Sequence, residues 1–171
     1  QFSIPILGEV FSPTAQRSGA ERGGGSDPSG HTIYAGGWGL QRMRLGIIGT
    51  ADIARKALLP AVEGTEHSVD AVASRDASRA EEVAEEFGIP RAYGAYADLL
   101  ADPDIDAVYN PLPNGLHAEW TKRAADEGLD VLCEKPLAAD ADEAESVVAH
   151  CREAGVTLME AFMYRYHPRT E

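Results

Sequence analysis

The sequence predicts an α/β domain in which helices cover both faces of a parallel sheet. Three observations carry this expectation. Short apolar runs recur from residue 44 onward. Segments with apolar residues at i, i+3, i+4 and i+7 lie between them. The first run, RLGII, passes through Gly49 into a helical pattern. Strands that are apolar throughout must be covered on both faces, and right-handed crossovers between parallel strands supply that cover.

The elements follow in order. Strands are expected over 44–48, 68–73, 105–110, 129–133 and 156–159, with a short one near Tyr93. One helix follows Gly49. A second places Ala80, Val83, Ala84 and Phe87 on one face, and a third carries Leu116, Trp120 and Ala124. The last presents Ala144, Val147, Val148 and Cys151, with Asp140 and Glu143 as its N-cap and N3 pair. This is a Rossmann-type, doubly wound order. The two cysteines, Cys133 and Cys151, fall in apolar patterns. They read as buried free thiols rather than a disulfide or a metal site, which fits a reducing cytoplasm.

Residues 1–42 differ from the rest. GAERGGGSDPSGHTIYAGGWG is rich in glycine and small polar residues and has no amphipathic period, so it is expected to be disordered or loosely attached. Met43 directly precedes the first strand and reads as the natural start, with 1–42 a non-native extension; a genuine flexible extension is the alternative. The opening QFSIPILGEVF lacks a basic lead and is broken by Pro5 and Glu9, so it does not read as a signal peptide.

The 171 residues suffice for one domain with its own core. The formal net charge is −13, and residues 1–42 hold equal numbers of acids (Glu9, Glu21, Asp27) and bases (Arg17, Arg22, Arg42). The imbalance therefore lies in 43–171. It argues against nucleic acid or an anionic membrane as partner, and no apolar run approaches a membrane span. The only lysines are Lys56, Lys122 and Lys135. Such an acidic, lysine-poor composition suits a halophilic organism; an ordinary acidic cytosolic protein is the alternative.

Where a dinucleotide loop would read G-x-G-x-x-G, this chain has Gly49-Thr50-Ala51-Asp52-Ile53-Ala54. Gly49 keeps the tight turn, and alanine is the smallest substitute at the other two places. The helix N-terminus still offers N–H groups to an anion. Asp52 must point away from a phosphate, and capping its own helix is the simplest role. An ordinary strand-to-helix turn remains the alternative. An NAD site usually ends the second strand with an acid that binds the ribose hydroxyls. Here Ala73-Ser74-Arg75-Asp76 stands in that place, and Arg75, helped by Arg79, suits a 2′-phosphate. NADP is therefore expected over NAD, with a solvated Arg75 as the alternative.

Ligands of such sheets bind beyond the carboxyl ends of the strands. YNPLPNGLH, residues 109–117, leaves the fourth strand through Pro111 and Pro113 and presents Asn114 and His117 at a helix start. Asn114 also reads as a plain N-cap. CEKPL, residues 133–137, puts Glu134 and Lys135 at the cleft mouth. A lysine there can hydrogen-bond a substrate hydroxyl and favour the developing alkoxide, with Glu134 holding its ammonium. A surface Lys–Glu pair is the alternative.

LGIIGTADIA, ASRDASRAEEVAEEFGIPRAYGAYADLLADPDIDAVYNPLPNGLHAEW, VLCEKPLA and MEAFMYRYHPR cover nearly all of 43–171. This region resembles the N-terminal domain of the glucose–fructose oxidoreductase, inositol dehydrogenase and rhizopine catabolism (Gfo/Idh/MocA) family. E-K-P after such a strand, with P-N-x-x-H upstream, is a specific pairing. GTADIA, ASRD and EAFMYRYHP resemble most the NADP-dependent aldose and dihydrodiol dehydrogenase branch, D-xylose 1-dehydrogenases included.

The resemblance implies roles. Lys135 is the catalytic-site lysine, and its bond to Pro136 is often cis in the family. Gly49, Thr50, Ala51, Asp52 and Ile53 line the pyrophosphate, with Ser74 and Arg75 toward the adenosine ribose. Asn110, Leu112, Asn114 and His117 lie along the cofactor, Glu134 and Lys135 near the nicotinamide. Tyr164 and Arg165 approach cofactor or substrate at a domain junction. The family continues into a second α/β domain that supplies most substrate contacts, the remaining acid–base residue and the homo-oligomer interface. The chain is thus expected to be the cofactor half of an oxidoreductase acting on a sugar-like small molecule, inactive alone. A non-catalytic regulator that senses the cofactor is the alternative, but it leaves the E-K-P lysine without a task. Another Rossmann enzyme, such as a reductase of amino-acid biosynthesis, does not explain CEKPL.

Overall fold

The apolar runs become six strands: β1 (Arg44–Ile48), β2 (Ser68–Ala73), β3 (Arg91–Tyr93), β4 (Ala107–Asn110), β5 (Asp130–Cys133) and β6 (Leu158–Glu160). The computed structural model describes residues 42–162. Tyr164 and Arg165 lie outside the described residues, as does the segment before Arg42. The strands form one sheet in the order β3-β2-β1-β4-β5-β6, with all pairs parallel. This is the order of a doubly wound sheet, and its direction of winding reverses between β1 and β4.

Five helical segments make the crossovers. They are α1 (a π-helical turn Ala54–Leu58 continued by α-helical Leu59–Val62), α2 (Ala77–Phe87), α3 (Tyr96–Leu100), α4 (His117–Asp126) and α5 (Ala141–Ala154). α1 and α2 cover one face through Leu58, Val62, Val83 and Ala84, against Leu45, Ile47, Val72 and Leu132. α3, α4 and α5 cover the other through Leu99, Ala124 and Val147, against Ile48, Val108 and Val131. The period of two along each strand therefore feeds two separate cores.

Helix ends follow local chemistry. Asp76 Oδ1 accepts from Ser78 N at 3.1 Å, and Asp140 Oδ1 accepts from Glu143 N at 2.9 Å. Glu143 reciprocates one residue earlier than a standard capping box, accepting from Ala139 N. Phe87, expected on the buried face, is 37% exposed. It is the last residue of α2, where left-handed Gly88 turns the chain away, and Arg55 lies over its ring. Leu116 falls in a 3-10 turn, Asn114–Leu116, ahead of α4. Cys133 and Cys151 are free and buried as expected, and burial pushes the Cys133 thiol up to about 12. Among the described residues no helix is long and apolar enough to cross a membrane.

The edge of the sheet away from the strand exits carries an ionic network. Arg44 reaches Asp106 at 2.9 Å and Asp104 at 3.0 Å, and Arg91 reaches Asp102 at 3.0 Å. Burial disfavours the Asp106 carboxylate, but hydrogen bonds from the Arg44 side chain and backbone outweigh it, so its pKa falls below the usual range. Asp102 behaves alike: burial opposes the charge, and bonds from Asp104 N and Tyr93 overcome it.

Two outcomes are expected. A Cβ added at Gly46 would meet Leu99 Cδ2 at 2.6 Å inside the core. Gly46→Ala should cost roughly 1–3 kcal/mol in urea unfolding. Both network carboxyls have folded pKa values below their unfolded ones, so their contribution is complete above about pH 4 and fades as pH falls through the folded values. The urea midpoint should drop below pH 4, and less so in Asp106→Asn.

Candidate functional site

The turn out of β1 is made by Gly49, whose φ is +114°, a conformation that favours glycine. Its N–H donates to Ala73 O at 2.8 Å, tying the exits of β1 and β2. A Cβ at 49 would meet Leu112 Cδ2 at 2.9 Å, so the loop after β4 presses directly on this turn. Thr50, Ala51 and Ile53 are half-buried behind it. No side chain caps the start of α1. Asp52 therefore does not take the capping role expected for it. It is exposed and accepts from Lys56 Nζ at 2.7 Å, a pairing that lowers its pKa. At i, i+4 the ammonium is within reach on the outer face of the helix; the Ala54 N–H donates to Ala51 O at 3.0 Å, so only the N–H groups ahead of it stay open.

At the exit of β2, Ser74 is 7% exposed, and its Oγ accepts from Asp76 N at 3.2 Å. Asp76 is engaged as the cap of α2. Arg75 and Arg79 are exposed, and no carboxylate engages either guanidinium among the described residues.

The exits of β4 and β5 are joined from within. Asn110 is fully buried, with Nδ2 donating to His117 O and Thr121 Oγ1 and Oδ1 accepting from Leu112 N. His117 is 1% exposed. Its Nδ1 lies 2.7 Å from Pro136 O and its Nε2 2.6 Å from Leu112 O, so one imidazole bridges the two loops. Both side chains face the interior rather than the cleft, and they supply it with the shape of its walls. Asn114 is exposed and does not cap α4. It opens the 3-10 turn instead, and its carbonyl accepts the His117 N–H.

Glu134 corrects a second expectation. It does not hold the Lys135 ammonium. Its Oε1 accepts from Tyr109 OH at 2.6 Å, and its Oε2 from the Lys135 backbone N–H at 3.3 Å. The physical reason is alternation. Glu134 follows Leu132 onto the α1 face, where Tyr109 stands, which is opposite to the face that alternation assigns to Lys135. Lys135 is exposed, and its ammonium has no partner among the described residues. The Lys135–Pro136 bond is cis. Beyond it Leu137 N donates to Glu160 Oε1 at 2.8 Å.

Sequence reasoning missed Tyr109 and Glu160. The signal for Glu160 was an acid at the end of an otherwise apolar run, VTLM. Tyr109 could be found only from the β4–β5 register, which sets it opposite Leu132.

The crevice thus offers a glycine turn, open helix N–H groups, two unengaged guanidinium groups at one end and an unengaged ammonium at the other. Those features fit a phosphorylated dinucleotide with a reacting hydroxyl beside its far end. Among the described residues no cluster of His, Cys, Asp and Glu could hold a metal ion.

Comparison with known proteins agrees. The family model described as "Oxidoreductase family, NAD-binding Rossmann fold" matches residues 43–162. The chain is 63% identical over 129 residues to a D-xylose 1-dehydrogenase (NADP(+)) of Haloferax volcanii, covering 75% of this chain and 40% of that protein. It is 40% identical over 131 residues to the trans-1,2-dihydrobenzene-1,2-diol dehydrogenase of Mus musculus, covering 75% of this chain and 39% of that one. A solved 3-ketoreductase of Actinomadura kijaniata, in complex with NADP and TDP-benzene, superposes with a TM-score of 0.72 at 47% identity, over 75% of this chain and 39% of that one. The chain therefore spans about two fifths of the length of these relatives.

A neutral imidazole donates one N–H, so His117→Ala would remove one donor shared between two inward carbonyls, together with a buried ring. The expected loss is about 1–3 kcal/mol in equilibrium unfolding, the cost of one orphaned group. A loss below about 0.5 kcal/mol, the scale of an ordinary surface change, would count against the bridge.

Proposed function

The chain belongs to the oxidoreductase family with the NAD-binding Rossmann fold, and from that premise we propose that it is the cofactor-binding domain of an NADP-dependent sugar dehydrogenase. The whole protein would transfer hydride between a sugar or polyol hydroxyl carbon and the nicotinamide, most specifically as an aldose (D-xylose) 1-dehydrogenase. The observation that carries the reading is the pair of unengaged groups beyond the carboxyl ends of two strands of one sheet: the Arg75 guanidinium beyond β2 and the Lys135 ammonium beyond β5.

Each part has a physical task. Gly49 lets the backbone turn close to a pyrophosphate, and the first-turn N–H groups of α1 donate to it. Arg75, with Arg79 one turn along, pairs with a ribose 2′-phosphate, while Ser74 holds the turn. Asn110, Leu112 and His117 form the wall along the cofactor, with Asn114 on its rim. When bound, the nicotinamide accepts the hydride. Lys135 hydrogen-bonds the substrate hydroxyl and stabilises its oxygen while the proton passes to an acid–base residue that the second domain is proposed to supply. Tyr164 and Arg165 are assigned to the substrate side.

A second domain in the longer protein is proposed to supply the other substrate contacts and a homo-oligomer interface, so the chain alone should show no turnover. The acidic, lysine-poor composition supports a cytoplasmic protein of a salt-adapted organism. An ammonium left unengaged beside the crevice has no task in a cofactor-sensing regulator, so the enzymatic reading is preferred.

Calorimetric titration of the chain with NADP⁺ and NAD⁺ tests the reading. NADP⁺ should bind at least tenfold tighter, and Arg75→Ala should erase that preference at a cost of about 1.5–3 kcal/mol for a charged hydrogen bond. Equal binding of both cofactors would remove the role of Arg75; binding of neither would remove the site.

A further inference from the structure

Tyr109 is a buried polar group beside the exit of β5 to which the dehydrogenase reading gives no task. It is 3% exposed, on the α1 side of β4, and its hydroxyl donates to Glu134 Oε1. A phenol has a single proton to donate. Burial, and then the hydrogen bond to Glu134, raise its pKa well above the usual phenol range. The phenol therefore keeps the proton it donates to Glu134. The second Glu134 oxygen is taken by the Lys135 backbone N–H. The carboxylate is thus committed on both sides, although it belongs to the residue next to a free ammonium.

We propose that Tyr109 is a positioning residue that holds Glu134 on the α1 face and so keeps the Lys135 ammonium free for the substrate hydroxyl. The inference rests on the role given to Lys135 above. A lysine stem is long and flexible enough to reach a neighbouring carboxylate. Once paired, the ammonium would hold its proton more firmly, because an opposite charge within ~4–6 Å shifts such a group by about 1–3 pH units. It would also spend a donor on the protein instead of the substrate. Among the described residues the other ionisable groups of this region are His117 on α4, Cys133 on β5 and Glu160 on β6. His117 and Glu160 are engaged by Pro136 O and Leu137 N, and Cys133 is a buried thiol. That leaves Glu134 as the carboxylate to be kept away.

The test uses the full-length protein and two readouts. Reductive methylation of Lys135, followed by peptide mass spectrometry across pH, reports the neutral amine without needing turnover. Sugar oxidation with NADP⁺ reports catalysis. Tyr109→Phe keeps the ring and deletes the hydroxyl. It should move the Lys135 methylation curve up by about one pH unit and lower kcat roughly tenfold, with the NADP⁺ KM little changed. Adding Glu134→Gln should return the curve to its wild-type place. An unmoved curve in Tyr109→Phe would overturn the proposal. Should that variant fold poorly, Glu134→Gln alone decides. Its curve should match wild type, because the carboxylate is already held off, and a downward shift would show that Glu134 pairs with the lysine in the intact protein. Lys135→Ala separates the two ideas. Full activity in Lys135→Ala would end the catalytic reading, and a shifted curve in Tyr109→Phe would still uphold the geometry.

Discussion

The crevice depends on one buried imidazole placed between two backbone carbonyls. Loops that leave parallel strands carry carbonyl groups that no neighbouring strand pairs, and burying them without donors is costly. His117 serves the loops after β4 and β5 from one rigid ring, through Leu112 O and Pro136 O. Asn110 ties the same helix start back to β4 from below. The effect travels outward. Leu112, fixed by its carbonyl, packs against the space where a Cβ would stand at Gly49, and so sets the turn that opens α1. Pro136, fixed by its own carbonyl, sets the backbone that carries Lys135. The turn at Gly49 and the backbone that carries Lys135 thus share one internal support.

Around the exit of β5, polar groups are engaged so that one is left over. Glu134 is held by Tyr109, Leu137 N by Glu160, and Pro136 O by His117. Each of these bonds fixes the backbone or a neighbouring carboxylate, and none consumes the Lys135 ammonium. The exit of β2 follows the same logic. Asp76 would be the natural partner of Arg75, yet it is engaged by the N–H of Ser78 as the cap of α2. Asp52, which would repel an anion at the glycine turn, is drawn outward by Lys56. At three places an acid adjacent to the crevice is occupied elsewhere, which is how a chain of net charge −13 can keep a local site for an anion.

The fold was legible because its signal is local. RLGII and SVDAVA are strands over the residues expected, and the helix phases of Val83 and Val147 hold. The misses lie where a partner distant in sequence decides. Phe87 continues the helical period of α2, but the helix ends there and the phase loses its meaning. Glu134 and Lys135 are adjacent in sequence and so read as a pair, whereas strand alternation parts them. Asn114 has the residue type of a cap, yet a 3-10 turn precedes α4 and takes that position. Tyr109 was silent because its contact with Glu134 needs the register of two strands separated by a helix. Local pattern fixes an element, and side-chain partnership in a crevice needs the register between elements.

If the protein is salt-adapted, as proposed, the charge arrangement bears on how the proposed site would work in brine. At about 1 M salt the screening length is roughly 3 Å, so neither the repulsion of an acidic surface nor the attraction of a basic patch reaches far into solution. Long-range steering then contributes little, and recognition must come from contact: guanidinium to phosphate, N–H to pyrophosphate oxygen, ammonium to hydroxyl. Those contacts retain their strength only if they are preorganised and partly shielded from ions. A rigid glycine turn pressed by Leu112 and a β5 exit held on several sides meet that requirement. The same surface acidity that would hinder the binding of a polyanion in dilute buffer would then be nearly neutral in effect, and on the proposed reading affinity would depend on the geometry that His117 supports.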